Sequence, residues 1–500
     1  MAILVGIDIG TTNTKGIAWD VDARRAVASA SARTPGVDRG AGQAEHDPSA
    51  LWEVVVSLLR DLVAQLPDPN AVRGLAVSSV GEAGVLLDAD GEPVGPIIAW
   101  HDARTILQLD VWAERVPFDR QFAVTGLQRD HIYTLLKLAW WREHWPESFA
   151  RARTWLSVCD YVAWRLCGEM AVGTSQASRT MAFDVGAGRW SREMCDAAGV
   201  RVDLFPSPAV AGTRLGSIRA EVSALTGLPS DAAVAVGGHD HVCAALAAGA
   251  FRSDIVLDST GTTEALLLTL EHPALDDATR DRGLCCGCHV VPGRYYLLGG
   301  VLGVGPLIDR LAAAIAPDRP LDEARERLTQ LAMESAPGAR GLWWFPFLAG
   351  AGAPDRDPDA SSAIVGLRLH HSLSDVARAA FEGLCYEMRV LLDAMWTGDR
   401  SAGPVLRAVG GGARNDMWLQ MKADVTGLTV ERPLASEGGA LGAAVLAGLG
   451  AGVFASVDEG YANVDQGVHR FLSDWGAHRA YEVLYQDTYR TLSRQARLLA

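Results

Sequence analysis

The 500-residue chain lacks a cysteine framework, a surplus of positive charge and any long apolar run. Its eight cysteines are sparse for the length. Several of them (Cys159, Cys167, Cys243, Cys385) fall in apolar helical patterns. A disulfide scaffold is therefore excluded, and a reducing compartment, the cytoplasm, is expected. Lys and Arg number 45 against 60 Asp and Glu, a net charge of −15. So acidic a surface disfavours nucleic acid or an anionic membrane as partner. It leaves room for an anionic small molecule, because phosphates are held by local backbone N–H groups and not by net charge. No apolar stretch reaches roughly 18 residues without a breaker, so no transmembrane helix is expected. The opening run MAILVGIDIGTTNTK has no basic segment and is broken by Asp8, which argues against a signal peptide.

What is present is an ordinary globular balance, with 49% hydrophobic and 21% charged residues. The length exceeds one compact core, so two to four domains are expected. At the start, Leu4 to Ile9, Gly16 to Trp19 and Ala26 to Ala32 read as three strands of a meander. A helix follows, with Asp47 as its cap, Pro48 in its first turn, and apolar residues from Leu51 to Val63 at three–four spacing. A strand at Leu75–Ser78 and helices at Leu135–Trp141 and Leu156–Leu166 come next. Strands interleaved with helices indicate α/β layers. The segment around Gly261-Thr262-Thr263 repeats the strand–turn–strand pattern of Gly10-Thr11-Thr12. The offset is 261 − 10 = 251 residues, about half the chain. This echo predicts two similar α/β domains, residues 1–247 and 248–500.

Four segments carry chemistry. Gly10-Thr11-Thr12-Asn13-Thr14-Lys15 is a tight turn whose N–H groups, hydroxyls and lysine suit a phosphate cradle. It lacks the Gly-Lys-Ser/Thr of a Walker loop. Asp8, just before it, can hold Mg²⁺ through water. A plain hairpin turn rich in Gly and Thr accounts for the same residues. Gly261-Thr262-Thr263 is a second such turn, and two turns of this kind could clamp a triphosphate. Gly410-Gly411-Gly412, between a strand (Val405–Val409) and a helix (Met417–Val425), lets backbone approach a flat ring closely. It lacks the spacing of a dinucleotide fingerprint. Asp240, in Gly237-Gly238-His239-Asp240-His241 at a strand end, is placed as a general base or as a helix cap.

Together these segments resemble the FGGY family of carbohydrate kinases. The resemblance rests on Asp8–Lys15, Ser259–Thr263, Gly410–Gln420 continuing through Ala423–Gly427, and Ser362–Leu367 with Asp375–Gly383. Lys137-Leu138-Ala139-Trp140 fits the core of the family's N-terminal signature, although Ile132 departs from its first position. The resemblance implies two actin-like (ribonuclease-H-like) α/β domains around a cleft. It implies ATP and Mg²⁺ as cofactors, transfer of the γ-phosphate to an alcohol group of a neutral sugar or polyol, and a homodimer. It makes Asp240 the base and Asp8 the Mg²⁺ anchor. Gly10, Thr11, Thr12, Asn13, Lys15, Gly261, Thr262, Thr263, Gly303, Gly411, Gly412 and Asn415 would contact the nucleotide. Glu82, His101 and Asp102 would join Asp240 at the sugar, with Asp102 accepting from a hydroxyl or else capping a helix and pairing with Arg104.

Two departures bear on the substrate. Xylulokinases typically carry Gly-Gln-Met-His-Gly where this chain has Val80-Gly81-Glu82-Ala83-Gly84. Glycerol kinases place Arg-Glu there, and only Glu82 matches. A pocket of Glu82, Asp102 and Asp240 without an arginine would reject acidic sugars. An actin-like ATPase or a silent sugar sensor are the other readings. The first would not need Asp240, and the retained Asp8, Thr12 and Asp240 argue against the second. The adjacent Cys285-Cys286-Gly287-Cys288-His289 has the wrong spacing for a zinc site.

Overall fold

The structure, a computed structural model, describes residues 2–396, 398, 403–435 and 437–496. In the N-terminal half the strands are β1 (Ile3–Ile9), β2 (Asn13–Asp20), β3 (Arg25–Arg33), β4 (Val72–Ser79), β5 (Arg214–Ser217) and β6 (Ala233–His239). They form one sheet in the order β5-β6-β4-β1-β2-β3. The C-terminal half holds β7 (Ile255–Thr260), β8 (Glu264–Leu270), β9 (Cys285–Cys288), β10 (Tyr295–Val301), β11 (Val405–Val409), β12 (Val430–Pro433) and β13 (Val468–Phe471). Their order is β9-β10-β8-β7-β11-β12-β13.

The two sheets share a plan. β1–β2–β3 and β7–β8–β10 are antiparallel meanders. β4 runs parallel to β1 and β6 parallel to β4, as β11 does to β7 and β12 to β11. The expected duplication is therefore present in the topology: two α/β layers, each opening on a Gly-Thr turn.

Six helices matter for the site: α1 (Pro48–Ala64), α2 (Thr134–His144), α3 (Asp240–Ala247), α4 (Leu373–Met395), α5 (Asp416–Thr426) and α6 (Gly438–Gly450). The sequence explains their starts. Asp47 Oδ1 accepts from the N–H groups of Ser49 and Ala50, and Pro48 needs no donor partner. α1 then buries Leu51, Val55, Leu58, Leu59 and Leu62 against the first sheet. The run Leu156–Leu166 is not one helix. Thr154–Ser157 is a strand paired with Gly84–Leu87, and the helix starts at Val158, capped by Ser157. Trp155 and Leu156 have better partners across that ladder than along a helix.

α6 belongs to the C-terminal half by sequence, yet it packs on the first sheet. Its Ala440, Ala443, Ala444 and Ala447 share a core with Leu4, Ala76 and Ala235, and with Leu257 and Leu267 of the second sheet. Only small residues permit so close an approach. A Cβ on Gly6 would stand 1.8 Å from the Ala440 carbonyl oxygen. No helix among the described residues is long and apolar enough to cross a membrane.

Candidate active site

The candidate residues gather at the carboxyl ends of the parallel strands, where ligands of α/β sheets bind. In the first half, Asp8 ends β1, Ser78 and Ser79 end β4, and Asp240 follows β6. Two glycines place Asp240. At Gly237 a Cβ would lie 1.7 Å from the Val77 carbonyl oxygen, and the β6–β4 register shifts between Ala235 and Gly238. The strand crowds its neighbour there and delivers His239 and Asp240 to the sheet edge. His239 caps α3, so Asp240 lies in the first turn and is not the cap. Its Oδ1 accepts from the His241 N–H at 2.7 Å and lies 3.3 Å from His239 Nε2.

Asp8 stands in the field of Asp240. Burial and the negative charge of Asp240 push Asp8 up to about 7, although Ser78 Oγ donates to its Oδ1 at 2.6 Å. Burial, with Glu82 adding charge, pushes Asp240 to about 7 as well. His239 and His241 are both held neutral by burial, with neighbouring Arg179 acting in the same direction.

Glu82 is 6% exposed and sits at φ 57°, a left-handed conformation rare for a residue with a Cβ. Two basic side chains hold it there. Lys137 Nζ donates to the carbonyls of Glu82 and Ala99, both at 2.8 Å, and of Trp100 at 3.2 Å. Burial lowers this lysine to about 7. Arg179 binds Glu82 Oε1 through both Nε and Nη2. The expectation of a pocket without an arginine is therefore wrong: Arg179 is buried in it, facing Glu82, Tyr133 and Tyr296. Its Nη1 has no partner among the described residues, and neither do His239 Nδ1 and Tyr296 Oη.

Asp102 corrects a second expectation. It is 0% exposed, and both its oxygens are occupied. Oδ1 accepts from the N–H and Nε of Arg104, and Oδ2 from Arg104 Nη2 and the Ala44 N–H. Burial pushes this carboxyl up, but these donors outweigh it and hold the group low. Asp102 thus caps a short helical turn and builds the wall; it has no oxygen free for a sugar. His101 is exposed beside it, edge-on to Trp100. Trp100 Nε1 donates to Thr11 Oγ1 at 2.9 Å, which ties this loop to the first Gly-Thr turn.

In that turn Thr11, Thr12 and Asn13 are exposed, and Gly10 N–H donates to the Asn13 carbonyl at 3.0 Å. Lys15 pairs with Glu437 at 2.9 Å, directly before α6. The second turn exposes Gly261 and Thr262. Gly303, at φ 71°, precedes Gly305, whose N–H donates to the Thr262 carbonyl at 3.3 Å. The third turn leans on the second: Cβ atoms on Gly410 and Gly412 would each come within 2.5 Å of Thr260. Gly411 is exposed, with open space at its Cα. Asn415 departs from expectation, because its side chain is spent on structure. Oδ1 caps α5 through the Trp418 N–H and Nδ2 donates to Thr329.

The sequence marks the turns and Asp240 by local pattern, whereas the structure adds Arg179 and the contacts of Lys137. Lys137 lies inside the Lys137-Leu138-Ala139-Trp140 segment that resembles the family's N-terminal signature. Arg179 lies 97 residues from Glu82, and no local pattern flags it.

Comparison with known proteins agrees with this layout. The N-terminal domain of the FGGY family of carbohydrate kinases matches residues 3–247, and its C-terminal domain matches residues 257–451. The chain is 32% identical to a glycerol kinase of Methylibium petroleiphilum, over 96% of this chain and 97% of that one. It is 30% identical to a xylulose kinase of Bacillus subtilis, over 92% and 90%. Among solved structures, a xylulose kinase from Rhodospirillum rubrum superposes with a TM-score of 0.88 at 29% identity, covering 99% of both chains. With both domain matches spanning most of its length, the chain belongs to the FGGY family of carbohydrate kinases, enzymes that pass a phosphoryl group from ATP to an alcohol group of a sugar or polyol.

Proposed function

We propose that this kinase phosphorylates a hydroxyl of a ketose or polyol, with Asp240 as the general base. The observation that carries the assignment is the Asp240 carboxyl at the end of β6, raised toward neutrality by burial. A base is most effective when its pKa lies near the working pH. As the acceptor oxygen attacks the γ-phosphorus, its proton passes to Asp240, and the bond from the γ-phosphorus to the bridging oxygen of ADP breaks. Catalysis of this kind is mostly positioning and charge stabilisation.

Asp8 fits Mg²⁺. A carboxyl that burial, aided by a second carboxylate nearby, holds near neutrality would release its proton to a cation. Mg²⁺ is commonly held by one or two carboxylates, waters and substrate phosphates. The ion would supply neutralisation of phosphate charge. The Gly-Thr turns supply N–H and hydroxyl donors for the same charge.

Arg179 changes the picture of the acceptor pocket. Its charge is matched by Glu82, so that pair is neutral and does not itself repel an acid. Its partnerless Nη1 fits an acceptor oxygen on the substrate, such as a ketose carbonyl or a hydroxyl. The relatives named as xylulose and glycerol kinases support both a pentulose and a small polyol as candidates. A coupled ADP-release assay over pentuloses, hexuloses, glycerol, tetritols and gluconate tests the reading. Release with one or more neutral ketoses or polyols is expected. Release independent of any acceptor would overturn it.

A further inference from the structure

Beneath the second Gly-Thr turn lies an ionic cluster sealed from solvent. Lys422 of α5 is 1% exposed in its side chain, and Asp258 of β7 and Glu264 of β8 are both 0%. Lys422 Nζ lies 2.6 Å from Asp258 Oδ2, 2.5 Å from Glu264 Oε1 and 2.8 Å from Thr260 Oγ1. Thr260 Oγ1 in turn donates to Asp258 Oδ1 at 3.1 Å. Thr260 immediately precedes Gly261, Asp258 stands two residues before Thr260 on the same strand, and Glu264 immediately follows Thr263. One ammonium therefore grips both stems of the turn.

The grip reaches further. α5 begins just after Gly410-Gly411-Gly412, and those glycines lie against Thr260, with a Cβ on Gly410 reaching within 2.5 Å of its carbonyl. We propose that Lys422, with Asp258 and Glu264, is a positioning device that locks the second phosphate turn to the Gly410–Gly412 turn in the geometry that binds nucleotide. The proposal rests on the reading of Gly261–Thr263 as a phosphate turn. None of the three side chains need touch the nucleotide.

Charge makes the role testable. Two buried carboxylates and one ammonium leave a net negative charge unless one carboxyl holds a proton, and buried net charge is strongly disfavoured. Glu264 is that carboxyl. Burial and the adjacent Asp258 charge raise it to about 8 despite the lowering effect of Lys422. The Asp258 charge, with the contact to Glu264, holds Lys422 cationic against burial. The other titratable group facing the cluster is Cys385 of α4, whose thiol burial keeps neutral. The cluster is thus neutral at pH 7. Above about pH 8 Glu264 loses its proton, and a negative charge appears under the turn that receives phosphates. Nucleotide binding should weaken with rising pH.

The experiment is calorimetric titration of the full chain with ADP and excess Mg²⁺, from pH 7 to 9.5, for the parent, Glu264→Gln and Lys422→Met. The parent should lose about thirtyfold in ADP affinity across that range, one proton with a pKa near 8 being coupled to binding. Glu264→Gln cannot ionise and should stay within about twofold of its own pH 7 value. Lys422→Met, if folded by circular dichroism, should bind ADP at least about tenfold more weakly at pH 7. A parent without the alkaline loss, a Glu264→Gln variant that keeps it, or a folded Lys422→Met with parental affinity would each overturn the proposal. If Lys422→Met does not fold, the Glu264→Gln profile decides. No acceptor is needed, so the outcomes separate: a parent that binds no ADP at any pH overturns the nucleotide reading and this proposal together, whereas pH-independent ADP binding overturns the proposal alone.

Discussion

At the residue scale the account turns on Glu82 and Arg179. Arg179→Met should raise the acceptor KM by roughly tenfold or more, because a buried charged hydrogen bond is lost and Glu82 is left unpaired. The ATP KM should move far less. Initial rates with each substrate varied in turn check this, and equal rises in both constants would count against the pocket. Removing the Thr12 and Thr262 hydroxyls should do the reverse, weakening ATP use with little change at the acceptor. The residue scale is also where the sequence was least legible. Glu82 and Asp240 stand beside glycines at strand ends and could be picked out locally. Arg179 reaches Glu82 from 97 residues away, and Lys422 reaches Asp258 from 164. Asp102 was legible only as two alternatives, and the Ala44 N–H, brought in by tertiary contact, settles its second oxygen.

At the element scale, glycines divide into those that close backbone contact requires and those that stand open to solvent at the turns. Gly6→Ala would drive a Cβ into the Ala440 carbonyl of α6. Overpacking of that kind costs about 1–3 kcal/mol or more, because neither backbone can retreat without opening the shared core. The thermal midpoint should fall by several degrees. Gly411→Ala meets nothing within 4 Å, and its φ of −63° suits any residue. It should leave the midpoint unchanged yet raise the ATP KM, since the added methyl occupies space at an exposed nucleotide turn. Thermal melts beside kinetics for both variants separate the two classes. Strand and helix positions were largely readable, because Val405–Val409 and the capped α1 carry local signals. The break at Ser157 was not, since it depends on a ladder to Gly84–Leu87.

At the scale of the whole molecule, the chain is two copies of one plan joined by shared elements. α6 crosses onto the first sheet, and Arg356 of the second half pairs with Asp130 of the first at 2.7 Å. The Cys286 N–H donates to the Gly126 carbonyl, also at 2.7 Å. The duplication could be seen in the paired Gly-Thr turns, whereas the crossing of α6 could not, because an Ala- and Gly-rich helix carries no mark of which sheet it covers. The assembled result places the carboxyls of Asp8 and Asp240 together at the end of the first sheet. Their raised pKa values give the sign of the pH dependence. The base must be unprotonated, so kcat should rise with pH through about 7 and level above it.

The most direct test is the rate of ADP release for the parent and for Asp240→Asn, with the best acceptor of the panel, from pH 5.5 to 8.5. The substitution keeps the shape and removes the base. The account predicts a loss of about 10²–10⁴-fold in kcat, disappearance of the rise near pH 7, and ADP affinity close to that of the parent. Near-parental turnover by Asp240→Asn, with the same pH profile, would contradict it.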